Sequence, residues 1–272
     1  MAELRLRTVD AFTDKPFTGN PAAVLLLDEA PTDDWMAAVA RETNLSDTGF
    51  VIRETLPDAD FRLRWFTPVK EVDLCGHATL ASAHCLFEDG VRSPVRFATR
   101  SGVLTVTRRE DGSLAMDFPA AIPEQIDLRG PIADALGAPV EWTGRVDVNN
   151  FKIALLADEG TVRGLNPDLS ALARQDLAVI VTAAADLGQA YDFVSRVFSP
   201  GDGIDEDPVT GSSHTVLAPF WTDRLGKTSM VGLQLSARAG VVGVELHGDR
   251  VVVIGRAVTV LDGVLRQAAN PT

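Results

Sequence analysis

Hydrophobic stretches broken by polar turn residues stand out in two places. Val103 to Arg108 and Leu114 to Phe118 read as strands, and Asp111-Gly112 between them is a hairpin signal. Val241 to Leu246 and Val251 to Ile254 repeat that arrangement around His247-Gly248-Asp249. Helical spacing occurs elsewhere. Thr32 predicts an N-cap, Asp33 and Asp34 suit the first turn, and Trp35, Met36, Val39 and Ala40 form an apolar stripe ending near Asn44. Asn166-Pro167 predicts the opening of a matching helix with Leu169, Leu172 and Ala173. Two further helices each start at a glycine. One runs from Gly76-His77 to Phe87 with Gly90 just beyond it. The other runs from Gly211-Ser212 towards Trp221, with Pro219 expected to kink it.

This order of elements repeats because the sequence repeats. DFRLRWFTP (Asp60 to Pro68) returns as DFVSRVFSP (Asp192 to Pro200), 132 positions later. NPAAVLLLDE at Asn20 returns as NFKIALLADE at Asn150, and RSGVLTV at Arg100 returns as RAGVVGV at Arg238. Three matches in one order predict two related halves with a cleft between them, residues 1–119 and 120–272, the extreme C-terminus being free to pack back on the first. The join, AAIPEQIDLRGP, has no flexible Gly/Ser linker. Carrying the 132-residue offset onward sets Cys75 opposite Asp207.

Composition narrows the classes. The 272 residues are 46% apolar, which supports ordinary packed cores, and carry a net charge of −13. That charge argues against nucleic acid or an anionic membrane as partner, since both reward clustered Lys and Arg. The apolar runs are too short to span a bilayer, and MAELRLRTVDAF lacks a signal-peptide core. Cys75 and Cys85 make no disulfide framework, so the expected setting is the cytoplasm with both thiols reduced.

The candidate chemistry gathers at the two Gly-led helix starts. Gly76 and Gly211 carry no side chain, so a carboxylate can approach the free N–H groups there. Asp207, in GIDEDPVTGSS, is either a turn residue or a carboxylate placed to pass a proton. His77 is either a satisfied core histidine or a neutral hydrogen-bonding group at a helix N-terminus. Cys75 is either a small buried hydrophobe or a thiol base. Ser212 is an N-cap or a substrate contact, and Asp47, in NLSDTGF, is a turn carboxylate or a base. HExxH, CxxC, P-loop and GxGxxG patterns do not occur. His77 and His84 without neighbouring carboxylates make a poor metal site. No metal or cofactor is therefore expected.

Five blocks carry a family resemblance over essentially the whole length. They are VDAFTDKPFTGNPAAVLL at Val9, ARETNLSDTGFV at Ala40, RWFTPVKEVDLCGHATLASAH at Arg64, FSPGDGIDEDPVTGSSH at Phe198 and QLSARAG at Gln234. The chain resembles the PhzF-like (phenazine biosynthesis) isomerase family, within the diaminopimelate epimerase-like fold. The resemblance implies an α+β fold of two pseudo-symmetric domains, each a curved, mostly antiparallel sheet wrapped around a central helix. It also implies a homodimer and a cofactor-independent reaction. The best-known activity moves a proton between carbons of trans-2,3-dihydro-3-hydroxyanthranilate. The family's catalytic Glu, in NLSET, falls on Asp47. Its motif His, Asp and Ser fall on His77, Asp207 and Ser212, and its substrate-binding N–H groups on Gly76 and Gly211. Asp is one methylene shorter than Glu, which withdraws the carboxylate by about 1–1.5 Å. A misplacement of about 1 Å can cost about 100-fold in rate. Either the loop compensates, or the substrate sits differently, or the family reaction is lost.

Three functions follow as expectations. The first is an isomerase of a small carboxylic acid, with Asp47 as base, Asp207 as second acid/base, and His77 and Ser212 positioning the substrate. The second is a racemase or epimerase of an amino-acid-like substrate, with Cys75 and Asp207 as opposed bases. The third is a non-catalytic binding protein on the same fold.

Overall fold

The structure is a computed structural model and describes residues 4–266. It comprises two compact units. Residues 4–117 and 254–266 form the first, and Phe118–Val253 form the second.

The first unit contains β1 (Leu4–Ala11), β2 (Asn20–Leu27), α1 (Asp33–Thr43), β3 (Asp47–Ile52), β4 (Phe61–Phe66), β5 (Glu71–Val72), α2 (Gly76–Glu88), β6 (Val95–Thr99), β7 (Gly102–Arg108) and β8 (Leu114–Pro119). The second contains β9 (Glu124–Gln125), α3 (Arg129–Leu136), β10 (Trp142–Arg145), β11 (Phe151–Leu155), α4 (Glu159–Arg163), α5 (Leu169–Arg174), β12 (Ala178–Ala184), β13 (Phe193–Ser199), β14 (Ile204–Asp207), α6 (Gly211–Leu225), β15 (Ser229–Gln234), β16 (Gly240–His247) and β17 (Arg250–Gly255). A last strand, β18 (Ala257–Leu265), pairs antiparallel with β1, and the extreme C-terminus, residues 267–272, lies outside the described residues. Among the described residues no helix is long and apolar enough to cross a membrane.

The repeat seen in the sequence is a repeat of strand pairing. In the first unit β1–β2 is antiparallel, β2–β3 parallel, β3–β4 and β4–β5 antiparallel, β4–β6 parallel and β6–β7 antiparallel. The second unit follows the same sequence of directions from β10 through β16. One side-chain device recurs as well. Arg64 on β4 grips Glu71 on β5 through two bonds of 2.7 Å and lies over the Phe66 ring. Arg196 on β13 grips Glu206 on β14 at 2.7 and 2.9 Å and lies over the Phe198 ring. A bidentate guanidinium–carboxylate pair holds both partners in one plane, so each short strand is fixed just before the helix it leads into.

Each Gly-led helix is the buried centre of its unit. Eleven residues of α2 are buried, and α6 is similarly enclosed over Gly211 to Leu217. A helix apolar nearly all round must be covered nearly all round. Small residues make that possible. A Cβ on Gly49 of β3 would stand 2.7 Å from Ser82 Oγ of α2, so glycine lets strand and helix touch. The other face of β3 presents Phe50 and Ile52 to Met36, Val39 and Ala40 of α1. Buried Arg7 anchors the far end of α2, donating to the Cys85 carbonyl at 3.1 Å and pairing with Asp89. A cation there complements the helix dipole.

Two sequence expectations change. The helix expected to open at Asn166-Pro167 begins at Leu169, because the Asp168 side chain accepts from Ala171 N–H at 2.9 Å and caps it there. As the sequence implied, helix α6 runs on past Pro219, to Leu225. Proline leaves the carbonyl four residues earlier without its helical donor, and Ala121 N–H donates to that carbonyl, on Thr215, at 3.1 Å. The second change concerns register. The N-caps of α2 and α6 are Cys75 and Thr210, 135 positions apart, and Trp65↔Val72 on β4–β5 is matched by Val197↔Asp207 on β13–β14. Cys75 therefore corresponds to Thr210, and Asp207 corresponds to Val72. The 3₁₀ turn Pro200–Asp202 between β13 and β14 lies where the offset grows from 132 to 135, so the constant offset set the wrong residue against Cys75.

Candidate active site

In the first unit the helix start meets the head of a strand. Asp47 opens β3, two residues before Gly49 and on the same strand face. His77 lies five residues before Ser82 on α2. Two strand residues cover about 6.6 Å, and five helical residues about 7.5 Å. The close approach at Gly49 and Ser82 therefore holds the strand to the helix about one step beyond the level of Asp47 and His77. Asp47 Oδ2 lies 3.7 Å from His77 Nε2, and the two residues are only 6% and 4% exposed.

Further groups complete this cluster. Ser46 Oγ lies 3.2 Å from His77 Nε2 and 3.0 Å from Asn20 Oδ1 at the start of β2. Cys75 Sγ lies 3.5 Å from His77 Nδ1. Hydrogen-bond polarity orders the chain. Asn20 Oδ1 accepts only, so the Ser46 hydroxyl donates to it and its oxygen accepts from His77 Nε2–H. Nδ1 faces the Cys75 thiol. The sequence reading brought forward Asp47, His77, Cys75 and Gly76, and the structure gathers all four. It missed Ser46 and Asn20, although Asn20 heads a repeated block and Ser46 adjoins Asp47.

One carboxylate oxygen, the thiol and one imidazole nitrogen lie within 4.8 Å of one another, a donor set a divalent ion can use. The imidazole, however, turns Nδ1 to Cys75 and Nε2 to Ser46 and Asp47. Opposite nitrogens facing opposite partners suit proton relay better than one shared ion.

In the second unit Asp207 ends β14, partly buried, three residues before Thr210 and the start of α6 at Gly211. Thr210 Oγ1 donates to Asp207 Oδ2 at 2.5 Å. Ser212, buried in the first turn, receives a hydrogen bond from Asn149 Nδ2 at 3.0 Å. Asn149 has a left-handed backbone (φ 50). Behind the helix start, His214 is fully buried. Its Nδ1 donates to the Thr210 carbonyl at 2.8 Å, and burial pushes its pKa down to about 4, so the ring is neutral. Asp207, Gly211 and Ser212 were expected in this cluster. Thr210, His214 and Gln234 were not, although Gln234 heads the QLSARAG block.

Known proteins share this architecture along its whole length. A family model described as phenazine biosynthesis-like protein matches residues 9–263. The uncharacterized isomerase PA2770 of Pseudomonas aeruginosa is 47% identical over 265 residues, covering 97% of this chain and 99% of its own. The uncharacterized isomerase BH0283 of Halalkalibacterium halodurans is 43% identical over 259 residues, covering 93% and 95%. The crystal structure of a PhzF-family phenazine biosynthesis protein from Enterococcus faecalis matches with a TM-score of 0.90 at 39% identity, covering 98% of this chain and 100% of its own. That likeness bears out the α+β fold expected from the motifs.

Proposed function

The chain belongs to the phenazine biosynthesis-like protein family, and on that footing we propose that this isomerase moves a carbon-bound proton on a small carboxylic acid, without a cofactor, using Asp47 as the base. The observation that carries the proposal is the setting of Asp47: a buried carboxylate at a strand head, 3.7 Å from an imidazole that is itself held by Ser46. A base so placed is withheld from bulk water, and its proton can be returned to the same substrate. His77 orients the substrate and supports charge on Asp47. Cys75 and Gly76 line the same helix start. Gly76, Gly211 and Ser212 offer N–H and hydroxyl donors to a carboxylate or to enolate-like charge. Asp207 is the second acid/base.

The substrate proposed is of the dihydro-hydroxyanthranilate type, with its reacting carbon drawn about 1 Å nearer β3 than a Glu in place of Asp47 would require. The test is deuterium uptake from D₂O by trans-2,3-dihydro-3-hydroxyanthranilate and a panel of small cyclic carboxylic acids, read by mass spectrometry. Wild type is expected to exchange at least one of them. Asp47→Asn is expected to lose about 100-fold or more while keeping its melting temperature. Exchange at the wild-type rate in Asp47→Asn removes Asp47 as the base, and no exchange with any acid removes the proton-transfer reading. The racemase alternative loses its repeat-based support, because Cys75 corresponds to Thr210 rather than Asp207.

A further inference from the structure

Gln234 is fully buried at the end of β15, and its carboxamide meets the turn that carries Asp207. Its Oε1 accepts from Thr210 N–H at 2.9 Å, and its Nε2 donates to the Asp207 carbonyl at 2.8 Å. Those two backbone groups, one donor and one acceptor, allow a single orientation of the amide. The second Nε2 proton then points at Thr210 Oγ1, 3.1 Å away. A threonine hydroxyl that accepts there has one proton left to give, and Asp207 Oδ2 stands 2.5 Å off to receive it.

We propose that Gln234 and Thr210 are positioning residues for Asp207, fixing the orientation of its carboxylate through the hydrogen bond to Oδ2. This rests on the reading of Asp207 as the second acid/base. In that reaction the Asp207 carboxylate takes a proton from substrate carbon, leaving the electron pair on the substrate, or gives a proton back to carbon, while the Thr210 proton stays on its own oxygen.

Comparison of the two units separates this device from mere scaffolding. Both units fix the approach to their central helix by a serine hydroxyl given to a backbone carbonyl. Ser101 donates to Asp73 and Ser236 to Pro208, each at 2.7 Å. Both also use the Arg–Glu pair described above. The clamp is different. By strand register, Phe61↔Phe97 on β4–β6 corresponds to Phe193↔Gly232 on β13–β15, so Gln234 corresponds to Thr99. Asp207, Thr210 and Gln234 thus occupy the positions of Val72, Cys75 and Thr99, none of which can form an amide–hydroxyl–carboxylate chain. All three members differ together, and only where a carboxylate is present. The Thr210 side chain also makes no cap bond to α6, so its hydroxyl is not explained by helix capping.

The experiment follows deuterium uptake by trans-2,3-dihydro-3-hydroxyanthranilate, or failing that by the panel acids, in Thr210→Val, Thr210→Ser and Asp207→Asn. Valine keeps the shape of threonine and removes only the hydroxyl. The expected result is a fall in kcat of about 10- to 100-fold for Thr210→Val, in line with a misplaced group, with KM within about threefold and recovery in Thr210→Ser. Gln234→Met serves in its place if Thr210→Val does not fold. Wild-type kcat in Thr210→Val beside an inactive Asp207→Asn overturns the clamp and leaves the acid/base reading standing. Equal losses in Thr210→Val and Thr210→Ser also overturn it. Wild-type turnover in Asp207→Asn, or no exchange by the wild-type protein, overturns the underlying reading and the clamp with it.

Discussion

Replacing Gly49 by alanine tests whether the contact between β3 and α2 builds the first cluster. The added Cβ would lie 2.7 Å from Ser82 Oγ, about 0.7 Å inside ordinary contact. Two responses are open. The Ser82 hydroxyl can rotate and give up its 2.7 Å bond to the Ala78 carbonyl, at about 0.5–1.5 kcal/mol. Alternatively α2 can retreat by several tenths of an ångström, which overpacking series put at about 1–3 kcal/mol. Either way the melting temperature of Gly49→Ala should fall by about 2–10 °C. A retreating helix carries His77 from Asp47, already 3.7 Å away, so deuterium exchange should fall about tenfold as well. The check is a second substitution. In Gly49→Ala/Ser82→Ala the nearest remaining atom to the new Cβ is the Ala78 carbonyl oxygen at 3.6 Å, an ordinary contact. The double variant should therefore regain most of the stability and exchange, while Ser82→Ala alone loses about 1 kcal/mol or less. Wild-type behaviour in Gly49→Ala, or a double variant no better than the single, would refute the packing argument.

Two further predictions follow from buried titratable groups. The folded His214 titrates at about 4, against 6.5 in the unfolded chain. Its contribution is intact above pH 6.5 and is lost as pH falls towards 4, because only the unfolded state takes up the proton. The loss is about 3 kcal/mol, so denaturant midpoints of His214→Asn should fall less than those of wild type between pH 7 and pH 4.5; parallel profiles would exclude it. Cys85 is pushed up to about 12 by burial, so iodoacetamide at pH 8 should leave it unmodified until the protein unfolds, as peptide mass mapping would read. Labelling of Cys85 in the native protein would contradict that.

Much of the fold was legible from the chain because its signals are local. The apolar stripe from Trp35 to Ala40, the turn at Asp111-Gly112 and the glycines opening α2 and α6 each act within a turn or a strand of themselves. The repeated blocks likewise announced two units, and the motifs brought forward Asp47, His77 and Asp207 as candidates. What takes up the Thr215 carbonyl freed by Pro219 was not legible, because the donor is Ala121, far away in sequence.

The sequence by itself determined which residue types stand at the two helix starts and that the two halves share one plan. Tertiary structure alone decided their correspondence and their partners. A lengthened turn between β13 and β14 makes Thr210, not Asp207, the counterpart of Cys75. Sheet register delivered Gln234 to Asp207 across 27 positions, and the Gly49 contact delivered His77 to Asp47 across 30. The physical reason is the same in each case: periodicity specifies which face a side chain is on, whereas a hydrogen-bond partner is specified by where two distant backbones are brought into contact.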